Sequence, residues 1–158
     1  MRLLVLAVGH KMPAWVSAGF EDYARRMPRE MQVELVEIRP QPRGSASAGQ
    51  VARLLKAEGE RLRAAIPAGA VCVALDEHGE AVSTEGLGRR LESWRQQGAD
   101  VAFLIGGADG LDPDLKRSAR LMLSLSAMTL PHQLVRVILA EQLYRAASLL
   151  HNHPYHRA

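Results

Sequence analysis

FLIGGADGL, residues Phe103–Leu111, extends the apolar pair Val101-Ala102 and then stops at two glycines. A short apolar run bounded by turn residues predicts a buried strand ending in a tight turn. Gly106 and Gly107 permit backbone dihedrals and close approaches barred to other residues, so the turn serves either a ligand or chain reversal alone. A dinucleotide fold is a poor match. The spacing is Gly-Gly-x-x-Gly, it falls late in the chain, and the next apolar run, LMLSLS (121–126), ends in serine where an acidic residue would hold a ribose. A Walker phosphate loop is excluded because no Gly-Lys-Ser/Thr follows.

The same kind of run recurs on both sides. RLLVLAVG (2–9) and AVCVALD (70–76) are continuous apolar strands, and LMLSLS is a fifth. QVELVEIR (32–39) alternates apolar with charged residues, which predicts a strand with one wet face near a sheet edge. Helical patterns lie between them. Pro13 opens a helix with Val16, Phe20, Tyr23 and Met27 on one face. After the loop PQPRGSASAG (40–49), a second helix turns Val51, Leu54, Leu55, Leu62 and Ile66 inward. EHGEAVS (77–83) reads as a loop, and Ser83 or Thr84 caps a helix carrying Leu87, Leu91 and Trp94. Asp112 and Pro113, as N-cap and first helical residue, start a short helix to Arg120. AMTLPHQ (127–133) is a loop, 134–150 an apolar final helix, and HNHPYHRA (151–158) a polar, aromatic tail.

Strand–helix alternation predicts an α/β fold, a parallel sheet with helices on both faces. Ligands of such sheets bind at the carboxyl ends of strands. The loops after Leu75, Ile105 and Ser126 are therefore the candidate site.

At 158 residues the chain has the length of one domain. The formal charge of +3 allows a polyanionic partner without requiring one, and arginine, the residue suited to bidentate phosphate recognition, greatly outnumbers lysine. Cys72 is alone, so no intrachain disulfide forms, and its apolar setting predicts a buried hydrophobe instead of a reactive thiol. The apolar run at the N-terminus is short for a signal peptide, and no run approaches a membrane span. The expected location is cytoplasmic, with no membrane partner.

The loop SLSAMTLPHQLVR offers small residues, free backbone donors and acceptors, and almost no charge. Such a lining suits a neutral planar group such as adenine, although an ordinary buried connection has the same composition. The tail places His151, His153 and His156 close together, but no carboxylate or cysteine neighbours them and Pro154 interrupts them, so no metal is expected. Tyr155, His156 and Arg157 make a platform for stacking and phosphate contacts to an unpaired base, or a frayed end. Glu141 and Arg145 are spaced for an ion pair on the final helix, and Arg136, in an apolar segment, needs a partner if buried.

LDEHG, FLIGGADGL, SLSAMTLPHQLVRVILAEQLYRA and NHPYHR together resemble the small SPOUT-class methyltransferases that methylate N3 of a pseudouridine in large-subunit ribosomal RNA. The opening VGHKMPAWVSAGFEDYARRMP shares the likeness, which thus covers nearly the whole chain. The resemblance implies a SPOUT-like α/β fold with a C-terminal trefoil knot, an exception to the rule against threading. It implies S-adenosylmethionine as methyl donor, a homodimer, and ribosomal RNA or the ribosome as partner. Carried onto this sequence, the cofactor positions are Leu75, Gly106, Leu125, Ser126, Ala127, Met128, Thr129 and Leu130; Arg145, Tyr155 and His156 match positions linked to RNA binding or catalysis. Glu80 departs from the lysine common in the family after the glycine of the LDxxG loop. The rival reading is a non-enzymatic RNA-binding protein acting in ribosome assembly, and a nicotinamide oxidoreductase is more distant.

Overall fold

Each inner strand is apolar on both sides because both of its sides are covered. The computed structural model describes residues 1–44 and 47–157, so Ser45, Ala46 and Ala158, within the expected loop and tail, lie outside the described residues. The order is β1 (Arg2–Val8), α1 (Ala14–Arg26), β2 (Gln32–Ile38), α2 (Ala48–Ala65), β3 (Val71–Ala81), α3 (Thr84–Gln96), β4 (Val101–Ile105), α4 (Pro113–Ser118), β5 (Leu121–Ser124) and α5 (His132–Leu150), then a 3-10 turn at Pro154–His156. The strands form one sheet in the order β2-β1-β4-β3-β5, and every neighbouring pair is parallel.

Alternate residues of each strand feed separate cores. Leu3, Val5, Ala7, Val101, Phe103 and Ile105 pack with Phe20 of α1, Leu87, Leu91 and Trp94 of α3, and Leu139 and Leu143 of α5. Leu4, Leu6, Val8, Ala102 and Leu104 pack on the other side with Leu62 of α2 and Leu115 of α4. The α/β fold with helices on both faces is therefore as the sequence predicts, and the alternating β2 is an edge strand. Among the described residues no helix is long and apolar enough to cross a membrane.

Several boundaries differ from expectation for local reasons. The stretch 77–83 is not wholly a loop: β3 continues to Ala81 after an excursion over Asp76–Gly79, so that Leu123 lies opposite both Leu75 and Glu80. Gly79 makes that return possible, since a Cβ there would lie 2.7 Å from the carbonyl carbon and oxygen of Met122. Helix α2 begins inside the expected loop because Ser47 and Gln50 form a capping box, each side chain bonded to the other's backbone amide. Helix α4 stops at Ser118, as Ala119 turns extended to enter β5, and α5 starts at His132 directly after Pro131. Asp112 precedes α4 but its side chain makes no capping bond, whereas Ser83 caps α3 through the Gly86 amide at 3.0 Å.

Arg136 is 1 % exposed; two of its three guanidinium nitrogens find partners, and among the described residues its buried Nε has none. Its guanidinium donates to Glu37 on β2 at 3.0 Å and to the Gly9 carbonyl at 3.1 Å. It thereby ties α5 to the ends of two strands.

The C-terminal residues are also packed against the body, where the tail composition predicts no packing task. The His151 ring bonds the Ala147 carbonyl through Nδ1 at 2.8 Å and Glu30 through Nε2 at 2.6 Å. Both nitrogens face acceptors, which only the imidazolium satisfies. The Ala147 carbonyl, then Glu30, accordingly raises the His151 pKa, while the backbone amide of Glu30 and then His151 lower that of Glu30. The sign of the linkage follows. The raised histidine stabilises the fold below its unfolded pKa and loses that contribution as pH rises through its folded value; the depressed Glu30 contributes above its unfolded pKa and loses that as pH falls. Thermal melts of the protein and of H151Q from pH 4 to pH 9 should therefore differ most near pH 5–6 and converge at alkaline pH, by no more than a few degrees because the pair is exposed. A gap that widens above pH 8 would contradict the assignment.

Candidate active site

The carboxyl ends of β4, β3 and β5 lie side by side, and the chain leaves each by a loop instead of a helix. These loops enclose a cavity of about 440 Å³ lined by Leu75, Asp76 and Glu77, by Ile105–Ala108 and Gly110, and by Leu125, Ser126 and Met128–Val135 in part. Seven of the eight residues that the resemblance assigns to a cofactor line this one space: Leu75, Gly106, Leu125, Ser126, Met128, Thr129 and Leu130. Ala127 belongs to the same loop but is exposed and not part of the lining. Asp76, Glu77, His132 and Val135, which follow Leu75 and Ser126 in the expected loops but are not among the residues assigned individually, also line it.

The loop after β5 is braced by its own serines. The Ser124 hydroxyl donates to the Ser126 carbonyl at 2.9 Å, and the Ser126 hydroxyl accepts from the Met128 amide at 2.9 Å. Thr129 donates to Glu77 at 2.7 Å, joining this loop to the excursion of β3. Asp76 accepts from the His78 amide at 2.8 Å and from Lys116 at 2.9 Å. Burial opposes its charge, but Lys116 and the His78 amide outweigh that and hold Asp76 below the usual carboxylate range. His132 stays neutral at pH 7, its pKa lowered by burial and then by the positive charges of Arg136 and Arg43. Glu80 is turned elsewhere, accepting from Arg90 on α3 at 2.6 Å.

The turn that decides the fold is shaped by contact within itself. A Cβ on Gly106 would lie 2.3 Å from the Gly110 carbonyl carbon and 2.8 Å from the Leu111 nitrogen. Gly110, at φ +78°, occupies the left-handed region that favours glycine.

Arg145 and Tyr155 are brought together in a second cluster, with His156 following Tyr155 in the 3-10 turn. Glu141 accepts from Arg145 Nε at 2.8 Å, from its Nη2 at 2.6 Å and from the Tyr155 hydroxyl at 3.1 Å. The Arg145 guanidinium lies 4.9 Å from the Tyr155 ring centroid, and that ring packs 4.5 Å from Tyr144 and 6.5 Å from Tyr23. Burial, then Tyr23 and the Glu141 carboxylate, hold the Tyr155 phenol far above its ordinary pKa, so at neutral pH it is a proton donor and a stacking surface. His156 Nδ1 is buried with no hydrogen-bond partner among the described residues. This cluster shares no residue with the cavity lining: at the rise of an α-helix, Arg145 lies about 15 Å along α5 from Val135, the nearest lining residue of that helix.

A parallel sheet with its cavity at three adjacent strand ends is the architecture of a nucleotide-type ligand site, and comparison with known proteins narrows the class. Residues 1–156 match the family model described as "Predicted SPOUT methyltransferase", and the chain belongs to the SPOUT methyltransferase family. It is 57% identical over 158 residues, covering 100% of both chains, to the Nitrosospira multiformis protein named ribosomal RNA large subunit methyltransferase H. A Burkholderia multivorans protein of the same name is 57% identical over 159 residues, again covering 100% of both. In fold, the chain is similar to a solved structure described as a probable methylase family protein from Haemophilus influenzae, with a TM-score of 0.55 at 11% identity, covering 96% of this chain and 67% of that one.

Proposed function

We propose that this protein transfers a methyl group from S-adenosylmethionine to N3 of a pseudouridine in large-subunit ribosomal RNA. The observation that carries the reading is the convergence of the three strand-end loops on one cavity, in a chain 57% identical over its full length to proteins named ribosomal RNA large subunit methyltransferase H. The lining fits the donor. Leu75, Leu125, Leu130 and Val135 offer apolar contact for a planar base, the loop backbones offer hydrogen bonds, and Asp76 and Glu77 place negative charge near a sulfonium. When bound, the donor supplies an electrophilic methyl carbon; the protein supplies position and exclusion of water.

The ring nitrogen of the target loses a proton as it attacks. Tyr155, held protonated, stacks and donates, and Arg145 supplies positive charge toward the anion that develops. His156, with its unpartnered Nδ1, is the remaining candidate to take the proton.

The working form we propose is a homodimer. Leu134, Ile138 and Leu149 of α5 are only half-buried although the same helix buries Leu139, Leu143 and Ala146, and Trp15 of α1 is 57 % exposed. A helix apolar around most of its circumference needs covering on more than one side. A second copy also answers the separation of about 15 Å along α5 between the cavity lining and Arg145, by setting one copy's tail at the other's cavity. The knotted C-terminal path implied by the resemblance is part of the same proposal, supported by the way α5 leaves the β5 edge and packs between α1 and α3.

Calorimetry with S-adenosylmethionine, followed by methylation of isolated subunits and whole ribosomes with the product mapped by mass spectrometry, tests the reaction. RNA binding without donor binding would return the protein to a non-enzymatic role in ribosome assembly. Light scattering tests the dimer, and a mixture of a cavity-defective and a tail-truncated chain should regain activity that neither has alone. No recovery in a mixture shown to exchange subunits would overturn the shared site.

A further inference from the structure

We infer that Arg43 is a positioning residue for the donor site, fixing the glycine turn from behind through an Asp109–Arg43–Glu58 chain. Glu58 is a carboxylate in the middle of α2, 2 % exposed. Both its oxygens are satisfied: Gln41 donates its amide at 2.8 Å, and Arg43 donates Nη1 and Nη2 at 2.9 and 3.0 Å. A two-pronged pairing of this kind fixes the plane of the guanidinium. The one edge of Arg43 not facing Glu58 is Nε, and it donates to Asp109 at 2.5 Å. Asp109 is not part of the cavity lining, but its neighbours Ala108 and Gly110 are.

Helix α2 touches the far end of the same segment as well. Gly59 follows Glu58, and a Cβ there would lie 3.0 Å from the Asp112 Cβ. The turn is thus held at Asp109 by charge and at Asp112 by close packing, both from the sheet face opposite α5. Within the turn itself the Gly110 amide bonds the Gly107 carbonyl at 3.1 Å. Arg43 converts a buried charge in a helix that lines no part of the cavity into a fixed place for the cavity's glycine wall.

This inference rests on the cavity being the donor site, and the experiment separates the two. Calorimetry with S-adenosylmethionine is run on the unmodified protein, D109N, D109E and D114N, with thermal melts of each. Asp114 also pairs with a neighbouring arginine, Arg117, but on the outside of α4, so D114N controls for charge alone. The expected result is a Kd raised about tenfold in D109N, the size of one charge-assisted hydrogen bond lost to ligand ordering. D109E and D114N should bind like the unmodified protein, and all four should melt within a few degrees. In methylation assays D109N should raise the donor KM and leave kcat at saturation unchanged, since no group on substrate is lost. Equal affinity in D109N, or equal weakening in D114N, overturns the role of Arg43. Absence of donor binding in the unmodified protein overturns the site itself, and the inference with it.

Discussion

Gly106→Ala is expected to weaken donor binding by up to about a hundredfold while leaving a folded protein. The added Cβ would lie 2.3 Å from the Gly110 carbonyl carbon and 2.4 Å from its oxygen, and backbone cannot swing aside as a flexible side chain does. The turn must open, at a cost of about 1–3 kcal/mol for overpacking. That corresponds to a melting temperature lower by roughly 2–12 °C in a chain this size. Because the displaced atoms are the cavity wall, a ligand bound there loses its fit, and about 3 kcal/mol is on the order of a hundredfold in Kd. The clash is internal to the turn, so affinity falls even if the ligand never touches Gly106. Calorimetry and melting on the same sample check this; unchanged affinity in a destabilised variant would detach the turn from the site.

Removal of residues 153–158 should cut methyl transfer by about a hundredfold or more, the usual weight of a positioned proton-transfer group, and leave donor affinity within about twofold. Tyr155 and His156 depart together, but Glu141 keeps Arg145 at 2.8 Å and Gln142 at 2.7 Å, so no unpaired carboxylate is left behind. The cavity loses none of its lining. Some stability goes with the Tyr155 ring, which packs on Tyr144 and Tyr23. Donor affinity lost in step with activity would mean that the tail closes over the donor.

Chain periodicity was enough to read the five strands, the five helices and the two-sided sheet, because continuous apolar runs have few other uses in a chain with no membrane-length segment. The cavity was legible in part for the same reason: three strand ends with small or apolar residues must lie near one another if their strands are neighbours. The loop after Leu75 was legible as part of the site, but the return of the strand at Glu80 was not, because it is defined only by the second pairing of β3 with β5. Glu58 does not stand out in the sequence, since its burial is set by Arg43, in the loop before the helix. Arg136 was the reverse case. Its oddity in an apolar segment was visible, but Glu37 and the Gly9 carbonyl appear only once β1, β2 and α5 are assembled. The tail was misread as free of packing because a few polar residues can dock on a tyrosine pair that sequence shows only as separate positions.

The cavity wall begins at Leu75 and ends at Val135. A chain made from its N-terminus forward can pair β1 with β2 early, but β1 receives its second neighbour only when β4 arrives, and the wall is complete only after β5 and the first turn of α5. No chain that stops before the first turn of α5 holds the complete wall, so ligand occupancy requires that β3, β4, β5 and the start of α5 have come together. A ligand at a hundred times its Kd adds about 2.7 kcal/mol to the native state. A shortage of that ligand would therefore lower occupancy and native-state stability together.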